Sequence, residues 1–295
     1  MNKNFLILLI LIIILLINPQ TTLSGAVLGL NLWFTVIVPT LLPFMIISYL
    51  IQNVYGTTIK NPLWYVALIG FTCGYPMGAF AATSMYEKNR LTKKQAYLLL
   101  MCCNISSPAF ILSYISFTSL EITTFPYWIL FINYLPSVLI ILYLLLTTKI
   151  IKTRPQSKRT PAPSLNFELL DNAITGSIIN ILKLGAYIII FSILAALIRV
   201  LPIKNALIKC LLIGAAEITT GINFAVTQNL SFDILVPLIL VMNAFGGLSC
   251  AFQSSMFLKS THLSIKKYMY SKLILAILTF LTWYLLVHVF HVRIL

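Results

Sequence analysis

Glycine, proline and hydroxyl residues cut into long apolar runs at four places, and the four places pair up along the chain. The first is Gly74-Tyr75-Pro76-Met77-Gly78, with Glu217-Ile218-Thr219-Thr220-Gly221 as its counterpart. The second is Asn104-Ile105-Ser106-Ser107-Pro108, matched by Gly247-Leu248-Ser249-Cys250-Ala251. Gly78 and Gly221 stand 143 positions apart, and so do Ser106 and Ser249. In a bilayer, backbone that leaves the helix is tolerated only where it is buried in protein or lines a cavity. Paired breaks in two halves of a chain point to a transporter-type site between the halves.

Composition decides that the solvent is a bilayer. The chain is 60% hydrophobic and 9% charged, with mean hydropathy +0.98, whereas a soluble domain is about 25% charged. Nearly every long segment would need burial on all faces, which excludes a soluble globule and leaves a polytopic helical membrane protein. Net charge is +14, from 20 Lys and Arg against 6 Asp and Glu. The bases cluster between apolar runs at Lys88–Lys94, Lys149–Arg159 and Lys259–Lys272. Such clusters mark cytoplasmic loops and anionic headgroups, so the lipid bilayer is the expected partner and nucleic acid is not.

Seven segments reach the roughly 20 apolar residues of a crossing: 4–20, 26–51, 96–119, 125–148, 174–200, 232–258 and 268–290. Two more, 63–86 and 205–229, hold the first pair of breaks. Lys3 sets the N-terminus inside, in a cell-membrane, multi-pass arrangement. A full crossing at 63–86 would put Lys88–Lys94 outside, so that segment reads as a re-entrant hairpin, and 205–229 reads as a second one from the opposite side. The bases Arg199, Lys204 and Lys209 then fall on the outer side, against the rule. The expected fold is an all-α polytopic membrane protein. It is an inverted repeat of span, re-entrant hairpin, broken span and span, with about seven full spans plus two hairpins. Residues 1–22 form an N-terminal, uncleaved signal anchor, because no small-residue cleavage site closes the run. Residues 23–150 form the first repeat, with hairpin 63–86 and broken helix 96–119. Residues 151–172 form a basic cytoplasmic linker, and 173–295 the second repeat, with hairpin 205–229 and broken helix 232–258.

Glu217 is the sharpest single residue, the one acid of six that falls inside an apolar stretch. A carboxylate at membrane depth costs a few kcal/mol or more, so it serves a cation, a proton or a solute, or it caps a half-helix. Thr219 and Thr220 offer hydroxyls beside it, either to a ligand or back to the helix. Gly74, Pro76, Gly78 and Gly221 answer a backbone need to turn, and Tyr75 offers a ring to stack on a ligand or to pack. Asn104, Ser106 and Ser107 break the span 96–119; Asn243, Gly247, Ser249 and Gln253 break 232–258. These amides and hydroxyls suit a nucleobase, a sugar or an amino-acid group, or they join helices. All fifteen are candidate substrate contacts, with Glu217 also the candidate coupling residue for H⁺ or Na⁺. Gly29, Gly176 and Gly185 read as close helix packing.

The five cysteines Cys73, Cys102, Cys103, Cys210 and Cys250 lie in apolar segments without ligand spacing and read as small buried hydrophobes. The histidines His262, His288 and His291 lie in a loop and near the C-terminal end. No metal, phosphate-loop or nucleophile–base pattern is present, so the sequence points to no enzyme, no metal and no cofactor.

The strings Gly70-Phe71-Thr72-Cys73-Gly74-Tyr75-Pro76-Met77-Gly78-Ala79, Tyr86-Glu87-Lys88 with Leu91-Thr92-Lys93, and Cys103-Asn104-Ile105-Ser106-Ser107-Pro108 carry a family resemblance. With Glu217-Ile218-Thr219-Thr220-Gly221 and Phe245-Gly246-Gly247-Leu248-Ser249, they resemble the sporulation integral membrane protein YlbJ family over roughly residues 25–290. That family sits in the wider nucleoside recognition, or Gate domain, group, similar in plan to concentrative nucleoside transporters and to the membrane part of ferrous-iron transporters. The resemblance implies a membrane protein of sporulating Gram-positive bacteria, needed for the spore cortex, and leaves the solute open, with a nucleoside as one candidate. The family often has a histidine before the glutamine of the second broken helix. Here Cys250-Ala251-Phe252-Gln253 has none, which moves the coupling role to Glu217. The function expected is a secondary transporter or permease of a small polar solute; a second copy of the chain is an open partner. The alternative is a non-transporting scaffold that anchors a sporulation complex through its basic loops.

Overall fold

The computed structural model describes residues 3–55, 61–147 and 166–291, and every regular element among them is helical. The expected linker lies largely outside the described residues, with its bases Lys152 to Arg159.

Helix α1 (Lys3–Ile17) has exposed apolar side chains almost all round, from Phe5 to Ile17. At 15 residues and 1.5 Å per residue it is about 22 Å long, short of the ~30 Å hydrocarbon core. Pro19 opens α2 (Pro19–Leu32), and the Asn18 amide donates back to the Ile14 carbonyl at 3.1 Å. The chain bends by 96° there and then winds on through Trp33–Ile37 into α3 (Val38–Tyr55). Hydropathy predicts separate crossings at 4–20 and 26–51; in the structure Phe5–Ile17 and Pro19–Ile37 form one bent pair, and Leu41–Ile51 is a shorter apolar stretch of α3. The described residues hold four helices long and apolar enough to cross a membrane, or up to five with the bent pair.

Two short helix pairs stand where the hairpins are expected. Asn61 accepts from Leu63 N and Trp64 N, and Pro62 takes the first position of α4 (Pro62–Cys73). Gly74 ends α4 at φ 76°, in the left-handed region that favours glycine, and a cis Tyr75–Pro76 bond leads into α5 (Met77–Glu87). A Thr92–Gln95 capping box starts α6 (Lys93–Cys103), which stops at Asn104. Winding resumes as a wider coil over Phe110–Ser119, and α7 (Tyr127–Thr147) follows.

Helix α8 (Phe167–Val200) is the longest, at 34 residues. It packs against α2, where a Cβ added at Gly29 would lie 2.8 Å from Ile189 Cα. Gly185 lies under the Trp33 ring, whose indole donates to Ile181 O at 2.9 Å. Asn205 caps α9 (Ala206–Ala216), and Glu217 alone separates it from α10 (Ile218–Val226). Gly221 rests on the backbone of Gly214, so α9 and α10 touch without intervening side chains. Helices α11 (Phe232–Phe245) and α12 (Gly247–Leu258) meet at Gly246, φ 83°. Last comes α13 (Ile265–Tyr284), extended by Leu285–Val289.

Two large apolar cores result among the described residues, with a small third cluster of Met101, Ile105 and Leu275 at the first break. One gathers α4, α5 and α6 with Ile141 and Leu144 of α7, Ile181 to Ile188 of α8, Ala251 and Leu258 of α12, and Tyr268 of α13. The other gathers Ile111 to Ile132, Ala195, α9, α10, α11 and Trp283. Each interrupted span thus passes from one core into the other, with its break at the boundary.

Candidate functional site

A cavity of about 140 Å³ opens at that boundary. Tyr75 from the first tip and Glu217, Ile218 and Thr219 from the second both wall it. Ser106 and Ser107 from the first break join Ser249, Cys250 and Gln253 beyond the second. Aromatic and apolar surface comes from Phe110, Tyr114, Leu184 and Ile188. The two tips and the two breaks therefore face one space.

Glu217 is 3% exposed and in extended conformation between α9 and α10. Its Oε1 accepts from Thr219 N at 3.1 Å; its Oε2 accepts from Thr220 N at 2.7 Å and Thr220 Oγ1 at 2.8 Å. The carboxylate is thus the N-cap of α10, stabilised by the positive end of the helix. A carboxylate has about four acceptor positions, and three bonds leave Oε1 able to take one more from the cavity. Capping and solute contact coexist on one side chain.

Asn104 is 0% exposed and does not line the cavity. Its Oδ1 accepts from Ala79 N at 3.1 Å, and its Nδ2 donates to Ser254 Oγ at 2.7 Å and to Tyr268 OH at 2.8 Å. This one amide ties the first break to α5, α12 and α13. Asn243, also away from the cavity, accepts from Ser106 Oγ at 2.6 Å and donates to Asn133 Oδ1 at 2.9 Å. Both amides join helices, as polar residues in membrane interiors do. Gly74, Pro76, Gly78, Gly221 and Gly247 are turn and close-packing residues outside the wall, and Thr220, also outside it, holds Glu217 Oε2. Tyr75, Ser106, Ser107, Glu217, Thr219, Ser249 and Gln253 remain as the wall itself. Gln253 donates to Ser249 Oγ at 2.9 Å.

By sequence Lys272 belongs with the loop bases Lys266 and Lys267; the structure buries it completely, at 0% exposure. Its Nζ donates to Asn104 O at 3.0 Å and lies 5.0 Å from the centre of the Tyr75 ring. The signal is present in one dimension. Helical spacing along α13 places Tyr268, Lys272, Leu275, Ala276 and Thr279 on one buried face, whereas Lys266 and Lys267 are exposed. Two tyrosines near the breaks also escape a sequence reading. Tyr134 OH bridges Phe71 O at 3.1 Å and Ser106 O at 2.8 Å, and Tyr114 OH donates to Thr219 O at 3.0 Å. Both satisfy carbonyls near the breaks, and a tyrosine in an apolar helix gives no sign of such a role.

Interrupted apolar helices around an internal cavity with a buried carboxylate define an integral membrane protein with a built interior site. The chain is similar to the sporulation integral membrane protein YlbJ of Bacillus subtilis (strain 168), at 22% identity over 87% of this chain and 75% of that protein. That match bears out the family resemblance carried by the tip and break motifs. No protein-family model matches the chain, and no solved structure does.

Proposed function

We propose that the chain is a secondary transporter or permease that moves a small polar solute through the cavity between the two tips. The relative is a sporulation protein by name, and we extend that setting to this chain, with the solute serving spore cortex formation. The observation that carries the reading is the meeting of both tips and both breaks around one cavity that contains the carboxylate of Glu217. Alternating access would follow from one core rocking against the other, each with its own hairpin, in the manner of transporters with inverted repeats. Size narrows the solute. A cavity near 150 Å³ takes a molecule the size of benzene, so about 140 Å³ suits a single-ring or similarly small compound. A nucleoside needs the cavity to widen.

Glu217→Gln tests this. Glutamine keeps the shape and one acceptor oxygen but loses the charge. The expected outcome is normal protein abundance with at least a roughly tenfold loss of solute movement, as for a group that contacts solute or coupling ion. Metabolite profiles of sporulating cells carrying either form would show it. Unchanged profiles and unchanged cortex, with the variant folded and abundant, would discard the transport reading in favour of a scaffold.

A further inference from the structure

Lys272 is the feature that the solute site does not absorb. A lysine with no exposed surface, inside a helix that can cross a membrane, is costly unless its charge is met. Here it is met by a backbone carbonyl freed where α6 unwinds, at 3.0 Å, and by the face of the Tyr75 ring at 5.0 Å. The titratable groups around it are the thiols of Cys102 and Cys103 on α6 and Cys250 on α12, with the Tyr75 and Tyr268 phenols beside them. Cys250 also shares the cavity wall with Glu217.

Unwound carbonyls in membrane helices are where transporters coordinate Na⁺. At this break the Asn104 carbonyl already accepts from a side-chain nitrogen, Lys272 Nζ. A sodium ion at the same carbonyl would stand against the Lys272 ammonium. A sodium ion would add an uncompensated charge in a low-dielectric interior, which is strongly unfavourable. We propose that Lys272 is a tethered cation occupying the place of Na⁺ at the first break, which closes that position to sodium. For solute coupling this rests on the transport reading and selects H⁺ over Na⁺. As a statement about ion binding it stands by itself.

The test uses the full chain purified in detergent, with Tm measured in NaCl and in choline chloride at equal ionic strength. The native protein is expected to melt at the same temperature in both. Lys272→Ala vacates the position beside Asn104 O and the Tyr75 ring; its Tm is expected to be lower in choline and to rise by about 5 °C in saturating NaCl. Saturable stabilisation of the native protein by Na⁺ overturns the proposal without any variant. So does a Lys272→Ala protein that is equally unstable, or equally unfolded, in both salts. The assay sees only ion binding and the Glu217→Gln comparison sees only solute movement, so each reading can fail without the other.

Discussion

Asn104→Ala is expected to lower the Tm of the purified protein by about 8 °C. The amide makes three buried hydrogen bonds, to Ala79 N, Ser254 Oγ and Tyr268 OH. Its loss leaves the Ala79 N–H without that acceptor and the Tyr268 hydroxyl without that donor; Ser254 still donates to Cys250 O at 2.7 Å. A buried polar group left unsatisfied costs about 1–3 kcal/mol, while interhelical bonds in membranes average nearer 0.6. A total of about 3 kcal/mol is a fair midpoint, and at about 2–4 °C per kcal/mol it gives the stated shift. The five buried free cysteines supply the measurement, since a thiol-reactive dye reports their exposure on melting. A shift of less than about 2 °C would show that Asn104 does not hold the elements together.

Gly78→Val is expected to prevent accumulation of folded protein, and Gly78→Ala to destabilise it by about 3 kcal/mol, at the upper end for overpacking. A Cβ at Gly78 would overlap the Cys103 carbonyl, and the same carbonyl lies against Gly70 on α4. Backbone lies on both sides of the contact, so no side chain can swing away. Gly176→Ala is the control, because its nearest neighbour is the Tyr49 ring edge at 3.6 Å. There alanine should be neutral or slightly stabilising, from its better helix propensity. Yield and Tm of the three variants, side by side, check the ranking; equal behaviour of Gly78→Ala and Gly176→Ala would refute it.

Breaks are legible in the sequence because they are local chemistry. Gly74-Tyr75-Pro76 ends one helix and starts the next, and Glu217 does so at α10, within a few residues of the boundaries expected from composition. The common cavity is legible from the pairing of those breaks. Direction is not: hydropathy counts residues in 4–20 and 26–51 but does not register a 96° turn at Pro19. Nor is the division of labour among amides. Asn104 and Gln253 look alike as polar residues in apolar helices, yet one is consumed by α5, α12 and α13 while the other faces the cavity. Which face a side chain takes depends on partners more than a hundred positions away, as the separation of 164 positions between Asn104 and Tyr268 illustrates.

The division into two cores bears on how such a chain is made. The core around the first hairpin needs Ala251, Leu258 and Tyr268, and the core around the second needs Ile111 to Ile132. Neither half of the translation product can complete a core from its own residues. Early helices must wait in the bilayer, with Asn104 Nδ2 and Asn104 O lacking their partners on α12 and α13, until those helices leave the ribosome. Biogenesis is therefore a late, single closure rather than the stepwise maturation of two domains, and the waiting first half is the stage at which membrane quality control would find exposed polar backbone.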